Sequence, residues 1–223
     1  MERIINIAID GPSGSGKSTL ASALAKRYGL IYIDTGALYR TVGLYIQRKN
    51  ILSTDTEAII AALDGIDITM RLIDGKGVVF LDGEPVGDEI RTPKSSMYAS
   101  DVSRIPEVRA YLLDLQRDIA KKNSTVMDGR DIGTVILPNA DVKLFLTAGV
   151  EERARRRTLE LKEKQPDITF EEVLADMTTR DKNDSGRKIA PAVPAEDAIF
   201  LDNGSLTIEE TVEKAAEIID GVL

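Results

Sequence analysis

The sequence predicts an α/β fold: a five-stranded parallel sheet with helices on both faces. Five short apolar segments, at 4–9, 31–33, 125–127, 142–146 and 198–201, are separated by stretches with helical periodicity. The segments are almost uniformly apolar instead of alternating, the pattern of strands covered on both sides. A glycine-rich loop joins the first of them directly to a helix, and right-handed crossovers then leave few topologies open.

Ile4–Ile9 reads as the first buried strand, closed by Asp10-Gly11. Leu20, Ala23, Leu24 and Tyr28 recur at helical spacing until Gly29 stops the helix. After the strand at 31–33, a helix is expected to about Asn50, with Leu38, Val42, Tyr45 and Ile46 inward. A further helix is expected over roughly 55–63, behind the Ser53-Thr54-Asp55 capping signal. The period then changes: Ile66, Ile68, Met70 and Leu72 alternate with polar residues. Asp74-Gly75 and Asp82-Gly83 supply turns, so 66–92 reads as a small inserted antiparallel meander, separate enough to move. Helices are expected at 94–102 and from Pro106, the latter burying Val108, Leu112, Leu115 and Ile119. The strand at 125–127 runs into Asp128-Gly129-Arg130-Asp131, charges at the strand end where open parallel sheets bind ligands. A helix bearing Arg153, Arg155, Arg156 and Arg157 follows the fourth strand. Thr169-Phe170-Glu171-Glu172 and Thr207 with Glu210 are capping boxes opening the last two helices.

The chemistry begins in the loop Gly11-Pro12-Ser13-Gly14-Ser15-Gly16-Lys17-Ser18-Thr19, which has the spacing G-x-x-x-x-G-K-S. Glycines let backbone N–H groups close around phosphate oxygens, and the helix N-terminus adds unpaired donors and a positive dipole end. In that reading Lys17 reaches the β- and γ-phosphates of a nucleoside triphosphate, and Ser18 offers a hydroxyl ligand to Mg²⁺. The competing reading is an ordinary Gly/Ser-rich βα turn; the strand before the loop and the helix after it favour the phosphate loop. Arg40, off its helix's apolar stripe, and the 153–157 arginines read better as solvated charge when taken alone. Arg180, Asp184 and Arg187 share one face if their helix persists.

Composition narrows the choices. The 223 residues carry 29 basic and 37 acidic side chains, a net charge of −8 that disfavours a general nucleic-acid or membrane-surface binder. No apolar run reaches the roughly 20 residues of a membrane span, and the expected setting is the cytoplasm, without a signal peptide. Histidine and cysteine are both absent, which excludes histidine bases, thiol nucleophiles and Cys/His metal sites. No N/T-K-x-D guanine reader is present. The surplus of arginine suits a second, phosphate-bearing substrate, and a phosphate dianion attacks without needing a base.

The stretches IDGPSGSGKSTLA at 9–21, DTGALYR at 34–40 and MDGRDIGTVILPNADVKLFLTA at 127–148 make the resemblance specific. With YASDVSRIPEVRAYLLDLQR at 98–117, EERARRR at 151–157, RDKNDSGR at 180–187 and PAEDAIFLDNGSLTIEE at 194–210, nearly the whole chain resembles the bacterial cytidylate kinases. The resemblance implies a P-loop kinase fold with a helical lid over 150–187 and a monophosphate-binding region over 35–123, including an insert at about 63–93. It implies Mg-ATP-dependent phosphorylation of CMP and dCMP by a monomer. Arg40 and Arg130 match the arginines that hold the acceptor phosphate. Ser100, Arg109, Asp131 and Arg187 match the set around the cytosine, and Thr35, Tyr39, Arg180 and Asp184 match positions around ribose and phosphate. Lys17, Arg130, Arg153, Arg157 and Arg180 are thereby expected to carry the transfer. Ala190–Val193 and Asp202-Asn203-Gly204 depart from the family pattern.

Overall fold

A computed structural model describes residues 3–73, 76–163 and 165–223, without the side chain of Pro93. The expected Asp74-Gly75 turn lies outside the described residues. Strand β1 (Asn6–Asp10) leads through the glycine loop into α1 (Lys17–Tyr28), then β2 (Ile31–Asp34), α2 (Thr35–Arg48) and α3 (Thr56–Ala62). The insert comprises β3 (Ile68–Ile73), β4 (Lys76–Leu81) and β5 (Glu84–Pro85). Helices α4 (Pro93–Val102) and α5 (Pro106–Lys122) return the chain to β6 (Thr125–Gly129), a one-turn π helix at Ile132–Ile136 and β7 (Val142–Thr147). The chain finishes with α6 (Val150–Lys162), α7 (Phe170–Ser185), β8 (Ile199–Asp202) and α8 (Ile208–Val222).

Among the described residues the strands lie in the order β3-β4-β2-β6-β1-β7-β8, with β5 on β4. The five from β2 to β8 are mutually parallel, as their apolar sequences predict. Their side chains alternate between two cores. Ile7, Ile9, Val126 and Leu144 pack under α1 and α8 with Leu20, Leu24 and Ile219. Ala8, Ile33 and Met127 face the opposite side with Ala120, Ile132 and Ile136. A third core joins α2, α4 and α5 through Leu38, Val42, Ile46, Val102 and Leu112.

The meander is antiparallel, with Asp82 and Gly83 both at positive φ (51° and 83°) in its tight turn. It does not stand apart from the sheet. Tyr32 of β2 pairs in parallel with Lys76 of β4, so the insert extends the sheet's edge. Its alternation is also incomplete, since Ile68 is buried while Leu72 and Ile73 are exposed. The expected caps form: Asp55 accepts from Ala58 N, and Thr169 and Thr207 close reciprocal capping boxes; Asp34 also caps α2 by accepting from Ala37 N.

Candidate active site

One cleft of about 790 Å³ opens at the carboxyl ends of β1, β2 and β6, and almost every residue singled out above is on its wall or directly behind it. At one end is the glycine loop. Gly11 has φ 150°, and a Cβ there would stand 2.0 Å from the Leu146 carbonyl oxygen of β7. Gly14, at φ 71°, packs so tightly that a Cβ would meet Met177 of α7 at 2.7 Å. A side chain at Gly11 would push the loop off its backbone support, whereas at Gly14 the Met177 methyl could yield and the cost lies in the left-handed backbone. Gly14, Gly16, Lys17, Ser18 and Thr19 line the cleft with Ser13, whereas Gly11, Pro12 and Ser15 form the loop's inner frame.

Lys17 Nζ donates to the Pro12 carbonyl at 2.6 Å and to Ser15 Oγ at 3.3 Å, so the ammonium is curled into its own loop. Burial, reinforced by the charge of Arg130, holds its pKa well below the usual lysine value, while Asp128 and Asp10 oppose that shift. Ser18 Oγ donates to Asp128 Oδ2 at 2.9 Å and Tyr32 Oη to Asp128 Oδ1 at 3.0 Å. Burial and then the nearby Asp34 raise the Asp128 carboxyl to about 6.

The other end is a set of guanidinium groups, most of them held by a carboxylate near a strand or helix terminus. Arg40 pairs with Asp34 at 2.7 Å, and its Nε is buried without a partner. Arg130 Nε donates to Asp184 Oδ2 at 3.1 Å, and the second oxygen of Asp184 is taken by Arg187. Arg109 pairs with Asp131, donates to the Ser103 carbonyl at 3.4 Å and stands over the Tyr39 ring at 5.6 Å. Burial raises the carboxyl of Asp131, an effect Arg109 and Arg187 oppose. Burial lowers the pKa of Arg180 and Arg187, and Arg130 adds to it in both. Arg180 lies 4.0 Å from Asp176, and Ser100 and Thr35 also line this end. Thr35 Oγ1 donates to the Asp128 carbonyl at 2.7 Å, joining the start of α2 to β6.

The cytidylate kinase family model matches residues 7–221. The chain belongs to the cytidylate kinase family. Cytidylate kinase of Caldicellulosiruptor bescii is 53% identical over 214 residues, covering 96% of this chain and 95% of that protein. The Caldanaerobacter subterraneus cytidylate kinase is also 53% identical, over 215 residues, 96% of this chain and 94% of its own length. A more divergent relative, from Desulfitobacterium hafniense, is 45% identical over 220 residues, with 99% and 94% covered. Among solved structures, shikimate kinase from Bacteroides thetaiotaomicron superposes with a TM-score of 0.50 at 13% identity, covering 98% of this chain and 99% of that one. That likeness concerns the fold alone, which is the P-loop kinase fold the sequence predicts. Membership of the cytidylate kinases makes the chain a kinase.

Within this family frame the 153–157 arginines divide into four different roles. Arg153, expected beside Arg157 as a group acting on the transferred phosphoryl, does not line the cleft. It is 4% exposed, and it donates to the carbonyls of Ala148 (2.9 Å) and Ser13 (2.8 Å) and to Asp181 (2.7 Å). It therefore braces the glycine loop against α7. Arg155 points away to Glu151 and Glu152 at 3.9 and 3.8 Å. Arg156 holds the Asn203 and Gly204 carbonyls at 2.9 and 3.1 Å. Arg157 is on the cleft wall, half-exposed and tethered to Glu160 at 2.8 Å.

Sequence reasoning missed several partners. Asp34 and Asp10 end β2 and β1, and that position alone could have singled them out; Asp128, one residue short of the end of β6, was marked as a strand-end charge but not as the partner of Ser18 and Tyr32. Asn203, in a stretch that departs from the family pattern, donates from Nδ2 to the Ser15 carbonyl at 3.0 Å and so ties the β8–α8 loop to the glycine loop. Nothing local in the sequence marks that contact.

Proposed function

We propose that the protein transfers the γ-phosphoryl group of ATP to CMP and dCMP, giving ADP with CDP or dCDP. The observation that carries this reading is the joining, in one cleft, of a triphosphate loop and an opposed cluster of Arg40, Arg109, Arg130, Arg180 and Arg187. A hydrolytic switch has no use for the second cluster. A phosphate-bearing acceptor does, because planar guanidinium groups take phosphate oxygens in pairs.

The acceptor's phosphate oxygen attacks the γ-phosphorus in line, a new P–O bond forms, and the bond to the β–γ bridging oxygen breaks with its electron pair leaving on ADP. A dianionic acceptor has no proton to surrender, consistent with a chain that has no histidine. The residues then act by position and charge. Lys17 exchanges the Pro12 carbonyl for phosphate oxygens. Arg40 and Arg130 hold the acceptor phosphate, while Arg157 and Arg180 approach the transferred group as residues 150–187 close. Region 35–123, with the insert at about 63–93, holds the monophosphate.

Ser18 and Asp128 fit a divalent cation, since they place a hydroxyl and a carboxylate oxygen 2.9 Å apart on the cleft side of the loop. Mg²⁺ held there would neutralise charge on the β- and γ-phosphates. Base selection has its own logic. Cytosine offers an amino donor at N4 and acceptors at N3 and O2, which a carboxylate and an arginine or serine complement. Asp131, Arg109 and Ser100 supply those types at the acceptor end. Uracil reverses the pattern at N3 and C4, so buried polar atoms lose partners and UMP turnover falls by up to about 10⁴-fold.

A coupled ADP-release assay with CMP, dCMP, UMP, AMP and shikimate is the test. Turnover with CMP and dCMP is expected. Turnover with another acceptor and none with CMP sinks the reading. Within it, Arg187→Ala raises KM for CMP far more than for ATP, and equal effects on both would remove Arg187 from the acceptor end.

A further inference from the structure

Asp10 lines neither end of the cleft, yet it is a carboxylate only 4% exposed at the last position of β1. Its two oxygens accept from two consecutive backbone amides, Oδ1 from Ile132 N at 2.8 Å and Oδ2 from Gly133 N at 2.7 Å. Those amides open the π-helical turn that follows Arg130 and Asp131. The first N–H groups of a helical turn have no partner within it, and the residue just before the turn ordinarily caps them when it is Asp, Asn, Ser or Thr. Asp131 occupies that position and does not cap: its side chain makes no bond to the turn and goes instead to Arg109. The cap is supplied from 122 residues away.

We propose that Asp10 is a positioning residue that caps the 132–136 turn in place of Asp131, and so keeps the Asp131 carboxylate turned toward Arg109 and the acceptor end of the cleft. The inference rests on the functional reading above for what that end binds. It also connects the two substrates' sites through the backbone. Asp10 directly precedes Gly11 of the triphosphate loop and pairs in register with Gly129, one residue before Arg130. A movement of β1's end therefore reaches the acceptor-side loop through a two-bond clamp. Ionised, Asp10 accepts both bonds most strongly, and burial raises it to about 6 against those two amides. The charged groups that face it are Lys17 from α1 and Asp131 from the loop after β6. Lys143 of β7 packs its chain on Gly133 but sends its ammonium to Asp197 and the Pro138 carbonyl.

The experiment measures binding of CMP and of a non-hydrolysable ATP analogue by calorimetry, for wild type, Asp10→Asn, Asp131→Ala and the double variant. The Asn side chain keeps the shape but accepts from one amide only and presents NH₂ to the other. Expected is a loss of CMP affinity of tenfold or more in Asp10→Asn, with the ATP analogue within threefold of wild type. In the Asp131→Ala background the same Asp10 change should cost CMP affinity less than threefold, because nothing is left to position. Equal losses for CMP and the ATP analogue, or an undiminished loss in the double variant, would make Asp10 a general structural residue and overturn the proposal. If wild type binds no CMP, the functional reading falls. If wild type and Asp10→Asn bind CMP alike, only the positioning role does. Should Asp10→Asn not fold, amide NMR of the wild type decides. The Ile132 and Gly133 amide protons are expected to be protected from exchange with solvent by the Asp10 carboxylate, and exchange of both at free-peptide rates overturns the clamp.

Discussion

Asp184 is where the proposed acceptor end is most exposed to a single change. Its side chain is 8% exposed, and its two oxygens are divided between Arg130 and Arg187, whose side chains are 22% and 8% exposed. Asp184→Ala removes one negative charge and leaves two guanidinium groups facing each other in a confined space. Breaking a buried pair by deleting one partner costs about 3–5 kcal/mol. The lower end applies here, about 3 kcal/mol, because Arg130 stands at the wall of an open cleft and water reaches it. With a urea m-value on the order of 2 kcal/mol/M for a domain of this size, the midpoint of unfolding should fall by about 1–2 M. Urea titration followed by circular dichroism measures it, with the KM for CMP determined on the same preparation and expected to rise. A midpoint within about 0.3 M of wild type, with KM unchanged, would show that Asp184 does not neutralise the two arginines, and the acceptor end as described would be wrong.

Other expectations follow from the same geometry. Lys17→Ala should lower kcat by about 10²–10³ while the unfolding midpoint stays within error, since it removes one cation from the developing charge; near-normal kcat would place Lys17 off the transferred group. Arg153→Ala loses three charge-assisted bonds and about 3 kcal/mol, a fall of about 6–12 °C in Tm, whereas Arg157→Ala should lower kcat with Tm unchanged. The reverse assignment of those two effects in calorimetry and kinetics would exchange their roles. For pH, burial raises Asp10 from 3.8 to about 6 in the folded chain, so its contribution to stability is present at low pH and is lost as pH rises from about 4 to about 6. The loss is on the order of 3 kcal/mol. Wild type should therefore lose stability relative to Asp10→Asn across that window, and parallel stability–pH profiles for the two would contradict the shift.

Legibility in the sequence followed physical range. Strands buried on both faces, capping boxes and the glycine loop are local patterns, and the parallel sheet with its phosphate loop could be read from them. The insert's antiparallel pairing was legible too, but its attachment to β2 through Tyr32 and Lys76 was not, because one parallel register pair leaves no period in either segment. The site divides the same way. Arg40, Arg109, Arg130 and Arg187 could be nominated from their stretches, and Asp184 could be placed beside Arg187; that Asp131 holds Arg109, that Asp184 also holds Arg130 and that Asp34 turns to Arg40 is seen only in the fold. The four neighbouring arginines of α6 show the limit most clearly. A helix turns 100° per residue, so adjacent identical side chains face a brace, solvent, a loop and the cleft in turn. Which is which depends on what packs against α6, and the sequence of α6 does not contain that.

The central claim is direct transfer between two nucleotides in one cleft, and labelled phosphate tests it most plainly. ATP carrying ³²P in the γ position is incubated with the protein and CMP, and the products are separated. The account predicts label in CDP, one equivalent for each ADP formed and dependent on CMP. Label released as inorganic phosphate at a rate indifferent to CMP would contradict it.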